Sequence, residues 1–522
     1  MPLALDYSFY QIDLPDDCRA NRQLLLTLTA AADADYPATH SIEETVDMMQ
    51  KLDAGMRYGV MFQNMQEAEN FMRRQSVMLE NVSAEGKPQQ LELFYFRMEF
   101  LRINALLYAN YQKPQKAADY YSQAAELASL LTEELKHQEY SRSFPEIEFV
   151  AWSACEIFRE AGVNADQLMD MTGHHTYTKQ CAETMKRFLP YMNDGWRSEA
   201  ADFLSQEGAI LVEQGAVEEG CGYFTESIRL LQKLAKENHL PVMEAKKIWT
   251  ESRLLAAVSA QGDFSLLVPL EQEISEFLSR QEGENEKYLI GIVKGARATL
   301  LQVKSLTVQE ASVDKALDLL KTGHEDLEEA LEILKADCAE QGPESYRYHF
   351  LQKIAGAAYM GKILNAWGQG LLYMQAERYG YMIDALEKCL QTIQDDPYNL
   401  SPYGLSIFRA NCYYYLSFCS VTRDNIDDME FYGKKCLEET EDLLRGSFHP
   451  LVMSTRIQAA ALLAQSELII KNKSAAEHYS QLGLEAVDAA RQSDGKVPPD
   501  LLDEMEKALR TILKKSKKRF FF

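Results

Sequence analysis

The 522-residue sequence predicts an all-α protein: a right-handed superhelical solenoid of antiparallel helix pairs, with repeats of about 46–52 residues. Three observations support this fold class. Apolar residues recur at three- and four-residue spacing along almost the whole chain, which is typical of amphipathic helices. No segment alternates long enough to indicate a strand, and small and aromatic residues recur at one fixed spacing in several places.

The composition limits the classes of function. Hydrophobic residues make up 46% of the chain, enough for a large core, so global disorder is excluded. The chain has 54 Lys and Arg against 79 Asp and Glu, a formal net charge of −25. Because neutralising phosphates requires a basic surface, we expect no nucleic-acid partner.

The sequence also predicts a cytoplasmic location. Its start, Met1 to Asp6, lacks the basic and apolar regions of a secretory signal. No run approaches the roughly 18 apolar residues of a membrane span, so no integral membrane segment is expected. The nine cysteines are scattered and never form Cys-x-x-Cys, a pattern typical of buried thiols in a reducing compartment.

Three regions follow one another along the chain. Residues 1–55 carry Pro2, Pro15 and Pro37 and read as an N-terminal arm with capping helices. Residues 56–495 form the predicted repeat array. Residues 496–522 read as a C-terminal helix, opened by Pro499, followed by a basic and aromatic tail.

One spacing pattern defines the repeats. Its clearest copy comprises Leu101, Ala105, Tyr108, Ala117, Tyr121 and Ala124. The same spacing recurs at 204–227, more loosely at 366–389 and 413–436, and weakly at 255–274 and 475–482. The pattern resembles that of the tetratricopeptide repeat superfamily, with degenerate motifs and a period longer than the usual 34 residues. The resemblance implies that a small residue on the first helix of each pair lets the second helix pack closely.

The resemblance also implies binding residues, because in tetratricopeptide arrays the first helix of each pair lines a concave groove. Carried over position by position, this register selects three positions in each of five units: Glu99, Arg102 and Leu106; Asp202, Ser205 and Ala209; Trp249, Ser252 and Ala256; Leu364, Trp367 and Leu371; and Asn411, Tyr414 and Phe418. The binding candidates among them are Arg102, Trp249, Trp367, Asn411 and Tyr414. Rigid aromatic side chains supply contact area at low entropic cost, and an Asn can hold the amides of an extended peptide. The alternative is that Trp249 and Trp367 fill the cores of long helix pairs.

The C-terminal tail reverses the charge of the chain. It offers a second set of binding candidates, namely Lys517, Lys518, Arg519, Phe520, Phe521 and Phe522. These residues suit a protein partner, the protein's own acidic groove or an anionic membrane surface, and the plainest alternative is a solvated end.

Motifs for catalysis are incomplete. The run from Gly356 to Lys362 matches most of a phosphate-binding loop, but Ile363 replaces the Ser or Thr that holds magnesium, and the run lies within a helical pattern. His174 and His175, with Cys181, have no recognised zinc spacing and are expected in a turn between helices. We therefore expect no enzyme, with no catalytic, metal or cofactor-binding residues.

The sequence predicts a protein–protein interaction scaffold or adaptor that binds a peptide or protein segment in a concave helical groove. The alternative is a peptide-responsive regulatory sensor of the Rap-like type, which would also clamp a short peptide. Such sensors carry a DNA-binding or N-terminal helical region; residues 41–82 fit part of a helical bundle, and no basic recognition helix is visible. The partner's identity and the oligomeric state stay open.

Overall fold

The computed structural model describes most of the chain, and its residues there are helical. The described residues are 65–80, 86–110, 112–135, 147–192, 194–213, 215–238, 240–280, 287–340, 346–423, 425–446, 449–492 and 497–517. They form eighteen α-helices and one short 3₁₀ turn, with no strand among them. The prediction of an all-α fold is confirmed.

The helices of the first half are 14 to 25 residues long. They are α1 Met65–Glu80, α2 Gly86–Asn110, α3 Pro114–Glu134, α4 Ile147–Gln167, α5 Met171–Phe188, α6 Asp194–Glu213, α7 Val217–Asn238, α8 Pro241–Ser259 and α9 Leu267–Arg280.

The second half contains the longest helices. They are α10 Lys287–Val308, α11 Val313–Glu340, α12 Tyr346–Gln375, α13 Tyr379–Gln394, α14 Pro402–Thr422, α15 Ile426–Gly446, α16 Pro450–Ile469, α17 Lys473–Arg491 and α18 Pro499–Lys517. Helix α12 runs without interruption through Gly356 and Lys362, so the partial phosphate-loop motif lies in a continuous helix, as the sequence predicts.

Within each unit, many neighbouring helices pack as pairs, and several pairs of the second unit pack on the next. The pairs α2/α3, α10/α11, α12/α13, α14/α15 and α16/α17 are in contact, as are the successive first helices α8/α10, α10/α12, α14/α16 and the final contact α16/α18. This is the tetratricopeptide-like arrangement of helix pairs that the repeat spacing predicts. The superhelical handedness stays a prediction.

Small residues lie where paired helices approach most closely. A side chain added at Gly208 on α6 would meet the Gly220 carbonyl oxygen at 2.9 Å, and one added at Gly220 on α7 would meet the Gly208 oxygen at 2.5 Å. Phe224, one turn further along α7, is buried beside this contact. The small and aromatic positions of the repeat at 204–227 therefore act as the resemblance implies.

Polar groups also link the helices of a pair. The Ser227 hydroxyl donates to the Ala201 carbonyl oxygen at 2.7 Å, and the Ser417 hydroxyl donates to the Met429 oxygen at 2.7 Å. Each buried hydroxyl finds its hydrogen-bond acceptor in the backbone of the other helix of the pair, which fixes the distance between the two helices.

The described residues fall into two compact units. The first unit comprises Met1–Asn164 and Thr176–Trp196, and the second comprises Ala165–His175 and Arg197–Phe522. The predicted region boundaries near residues 55 and 495 stay predictions, and the N-terminal arm lies outside the described residues. Among the helices described, none is long and apolar enough to cross a membrane.

Candidate functional site

A cavity of about 320 Å³ lies within the second unit. Five helices contribute to it: the first turn of α5, the end of α6, the middle of α12, and the starts of α14 and α16. Its lining consists of Met171, His174, Ile210, Glu213, Met360, Leu364, Ser401, Tyr403, Gly404, Ile407, Phe408, His449 and Leu451. Helices α6, α12, α14 and α16 are all first helices of their pairs, the helices that the resemblance assigns to binding.

The cavity wall is mainly apolar. Met360 and Leu364 are one turn apart on α12, so both point to the same side. Phe408 on α14 completes this wall and packs edge-on against Trp367, with ring centroids 5.9 Å apart. Such a wall can hold an apolar side chain or stem.

A hydrogen-bonded cap fixes one edge of the cavity. The Ser401 hydroxyl accepts the Gly404 backbone N–H at 3.0 Å and donates to Asp166 Oδ1 at 3.1 Å. Asp166 also accepts a backbone hydrogen bond from Tyr403. Because Pro402 has no N–H, these contacts satisfy the first donors of α14 and hold its start rigidly.

The Asp166 carboxyl is buried by protein, which raises its pKa. His174, the Ser401 hydroxyl and the Tyr403 backbone each act in the opposite direction by stabilising the ionised form. Asp166 is therefore a structural carboxylate whose oxygens are occupied by the α14 cap.

Glu213 is the carboxylate that faces the cavity. Its side chain is exposed to the cavity space while protein surrounds it, and the resulting desolvation raises its pKa to about 7. Arg253 lowers this pKa and Asp166 raises it further. Among the described residues, the Glu213 carboxylate has neither a hydrogen-bond partner nor an ion pair.

The nearby basic groups have other partners. Arg253 donates to the Ser205 carbonyl oxygen at 3.1 Å and to its hydroxyl at 3.3 Å, and burial lowers the pKa of Arg253 to about 10, so it stays charged at neutral pH. The His449 Nδ1 accepts the Val452 backbone N–H at 3.4 Å, capping α16, and burial lowers the pKa of His449. His449 is therefore neutral at pH 7.

His174 and His175 lie inside a helix, which corrects the expectation of a turn. Both belong to the first turns of α5, and the His174 backbone N–H bonds to the Asp170 oxygen at 2.9 Å. The helix begins earlier than expected because Asp170 caps it, its carboxylate accepting the Gly173 N–H at 3.0 Å. No group of three or more potential metal ligands occurs in the described part of the chain.

Arg102, the first predicted groove residue, is held in a buried ionic network of the first unit. Its guanidinium makes two hydrogen bonds to Glu160, at 3.0 and 2.7 Å, and lies 3.5 Å from Glu99 and 3.7 Å from Glu156. Its role in binding stays a prediction, although its donors already have partners here.

The structure places Trp249 and Asn411 inside the packing. Trp249 is 6% exposed, and its ring fills the space that a side chain at Gly295 would occupy. Asn411 is 4% exposed; its amide donates to the Ile407 oxygen at 2.8 Å and accepts from the Thr455 hydroxyl at 3.1 Å. Trp249 therefore fills the core between helices, which is the alternative to a groove position.

Trp367 and Tyr414 are partly buried. Trp367 touches the cavity wall through Phe408, and its indole nitrogen has no hydrogen-bond acceptor among the described residues. Tyr414 packs edge-on against Tyr415 at 5.0 Å, and burial raises its pKa to about 12. Leu364, selected by the same register, lines the cavity directly.

The tail candidates lie almost wholly outside the described residues. Lys518, Arg519, Phe520, Phe521 and Phe522 belong to that part, and the tail hypothesis stays a prediction. Lys517 closes α18 and lies 3.4 Å from Glu477.

Sequence reasoning missed Asp166, Glu213 and His449 as site residues. The His449-Pro450 pair is a visible helix-start signal, but nothing in the local sequence distinguishes Glu213 from the other acidic residues. Only packing between distant helices brings these side chains to one cavity.

The fold and the cavity define a tetratricopeptide-like protein of paired helices. No protein-family model matches the chain, and no curated protein matches its sequence. Three solved structures with some similarity are a monomeric IFIT1 mutant with Gppp-AAAA, Naa15/Naa10 bound to HypK-THB, and the APC/C hetero-tetramer Cut9-Hcn1.

The three similarities are low. The IFIT1 structure is 10% identical with a TM-score of 0.32, covering 97% of both chains. The Naa15 structure is 10% identical with a TM-score of 0.16, covering 95% of this chain and 79% of that one. The Cut9 structure is 11% identical with a TM-score of 0.18, covering 94% and 99%. The tetratricopeptide-like character of the chain therefore rests on its own helix pairing.

Proposed function

We propose that the protein is a helical-repeat binding scaffold that takes a peptide or protein segment on the face formed by its first helices. The observation that carries this proposal is the apolar cavity of about 320 Å³ at α12, α14 and α16. Its volume lies at the lower end of the range of ligand pockets, about 300–1,000 Å³, and suits one or two anchoring side chains.

The rigidity of the cavity supports the same function. The start of α14 is held by Ser401 and Asp166, so Tyr403 and Gly404 are fixed before any ligand arrives. Preorganised walls lower the entropic cost of binding, because little of the protein has to be ordered by the ligand. Binding without catalysis, as the sequence predicts, is part of the proposal.

A random peptide library selected on the full-length protein tests the function. Peptides that bind through the cavity are expected to lose at least tenfold in affinity for Leu364→Arg, because the charged side chain occupies and polarises the apolar wall. Leu306→Arg is the matched control, since Leu306 on α10 is 45% exposed and does not line the cavity.

Affinities are measured by isothermal titration calorimetry after circular dichroism has shown that both variants keep their helix content. Failure to select any peptide, or equal binding by wild type and Leu364→Arg, would contradict the proposal. Equal losses in both variants would also contradict it, because the effect would not depend on the cavity.

A further inference from the structure

We propose that the cavity recognises a cation on an apolar stem, with the Glu213 carboxylate as its counter-ion. The ligand group is an ammonium or guanidinium, as on a basic residue of a bound segment. This inference rests on the proposed function and names the chemistry of the group that enters the cavity.

The first argument is the state of Glu213. It contributes to the cavity wall, is exposed to the cavity, and has no hydrogen-bond or ion-pair partner among the described residues. A carboxylate that faces a cavity without a partner is free to accept a charge-assisted hydrogen bond from a ligand. Burial also raises the pKa of Glu213 to about 7, the direction expected for a carboxylate with too little compensation.

The second argument is the balance of charge around Glu213. Arg253, on α8, does not line the cavity and donates to Ser205, although its positive charge also lowers the pKa of Glu213. His449, at the start of α16, is neutral at pH 7 because burial lowers its pKa. His174, on α5, faces Asp166, whose carboxylate caps α14 and adds a second negative charge. Glu213 is the one carboxylate among the residues that line the cavity, so a ligand cation meets a negative charge there.

The third argument is the shape of the apolar wall. Met360, Leu364 and Phe408 line the cavity together with Ile210, which lies one turn before Glu213 on α6. The methylene stem of a Lys or Arg side chain packs on such a surface while its charged end reaches a carboxylate. A small inorganic cation would leave this wall unfilled.

The test uses three six-carbon probes of the same length on the full-length protein: n-hexylammonium, n-hexanol and n-hexanoate. Saturable binding is followed by ligand-observed nuclear magnetic resonance. We expect hexylammonium to bind wild type at least tenfold more tightly than hexanol, and hexanoate to bind most weakly. In Glu213→Gln the preference for hexylammonium over hexanol is expected to disappear, while hexanol binding is kept.

Glu218→Gln is the matched control. Glu218 is exposed at the start of α7, does not line the cavity, and its change removes the same charge from the chain. Equal loss of hexylammonium binding in both variants would overturn the inference, because a general charge effect would explain it. Equal binding of the three probes, tighter binding of hexanoate, or binding of none of them would also overturn it.

The pH dependence gives a second readout that needs no variant. Because a bound cation stabilises the ionised carboxylate, protons compete with it below the pKa of about 7. Hexylammonium affinity is expected to fall about tenfold from pH 8 to pH 6. The groups facing Glu213 are Arg253, Asp166, His174 and His449, so the same fall in Glu213→Gln would assign it to the histidines and overturn the inference.

The peptide arm separates this inference from the proposed function. In a selected peptide that contains Lys, replacing that Lys by norleucine keeps the stem and removes the charge. At least a tenfold loss, abolished by Glu213→Gln in the protein, supports a basic side chain as the source of the cation. Undiminished binding of the norleucine peptide overturns the inference and leaves the proposed function intact.

Discussion

The closest approach of two helices, between Gly208 and Gly220, leads to a sharp prediction for Gly220→Ala. A Cβ atom at Gly220 would lie 2.5 Å from the Gly208 carbonyl oxygen and 2.7 Å from a Val212 methyl group. The first neighbour is backbone, so relief requires α6 and α7 to move apart. Overpacking of this kind costs up to about 3 kcal/mol.

Helix propensity acts in the opposite direction. Replacing Gly by Ala inside a helix stabilises it by about 1 kcal/mol. The net expectation for Gly220→Ala is therefore a destabilisation of about 2 kcal/mol, because the overpacking cost exceeds the gain in helix propensity. Gly222→Ala, two residues along the same helix, is the matched control, because a Cβ atom there meets nothing within 4 Å. It should stabilise α7 by about 1 kcal/mol.

Hydrogen–deuterium exchange with mass spectrometry reads out these local effects, because a helical array opens in parts. Amides of α6 and α7 are expected to exchange about 30-fold faster in Gly220→Ala and about fivefold slower in Gly222→Ala, since 1.4 kcal/mol corresponds to a factor of ten. If Gly220→Ala exchanges no faster than Gly222→Ala, the glycine contact between the helices does not exist.

Two further predictions concern buried ionisable groups. Arg102→Ala leaves the Glu160 and Glu99 carboxylates buried without their counter-charge, so urea denaturation should show a loss of about 3–5 kcal/mol; a loss below about 1 kcal/mol would mean that the network is solvated. Burial raises the pKa of Cys436 to about 12, so brief iodoacetamide treatment of the folded protein at pH 8 should leave it unlabelled, while the half-buried Cys221 reacts faster than Cys436. Mass spectrometry that finds both equally alkylated would contradict the packing around α15.

The sequence predicts most of the helix pairing because the close contact recurs at one spacing. The copies at 101–124, 204–227, 255–274, 366–389 and 413–436 each coincide with a helix pair. The repeat spacing does not detect the pair α10/α11, because the contact between its helices, at Ala298 and Gly323, lies further from the connecting loop. Longer helices allow the contact to move along them, so a fixed spacing no longer finds it.

The site was predicted less well than the fold. Of the fifteen positions that the register selects, only Leu364 lines the cavity. The same register selects Trp249, whose ring is buried against Gly295, as the core alternative describes. Glu213 was not selected at all, since its pKa and lack of partners arise from helices that are remote in sequence.

The hydrogen bond between Ser401 and Asp166 has a consequence for folding, because it spans 235 positions of the chain. In an ideal repeat array each unit touches only its neighbours, and folding spreads outward from any starting point. Here the Ser401–Asp166 hydrogen bond closes a long loop of the chain. The entropic cost of closing that loop delays the bond until the intervening helices are in place. The rim of the cavity is therefore expected to be among the last parts of the second unit to form.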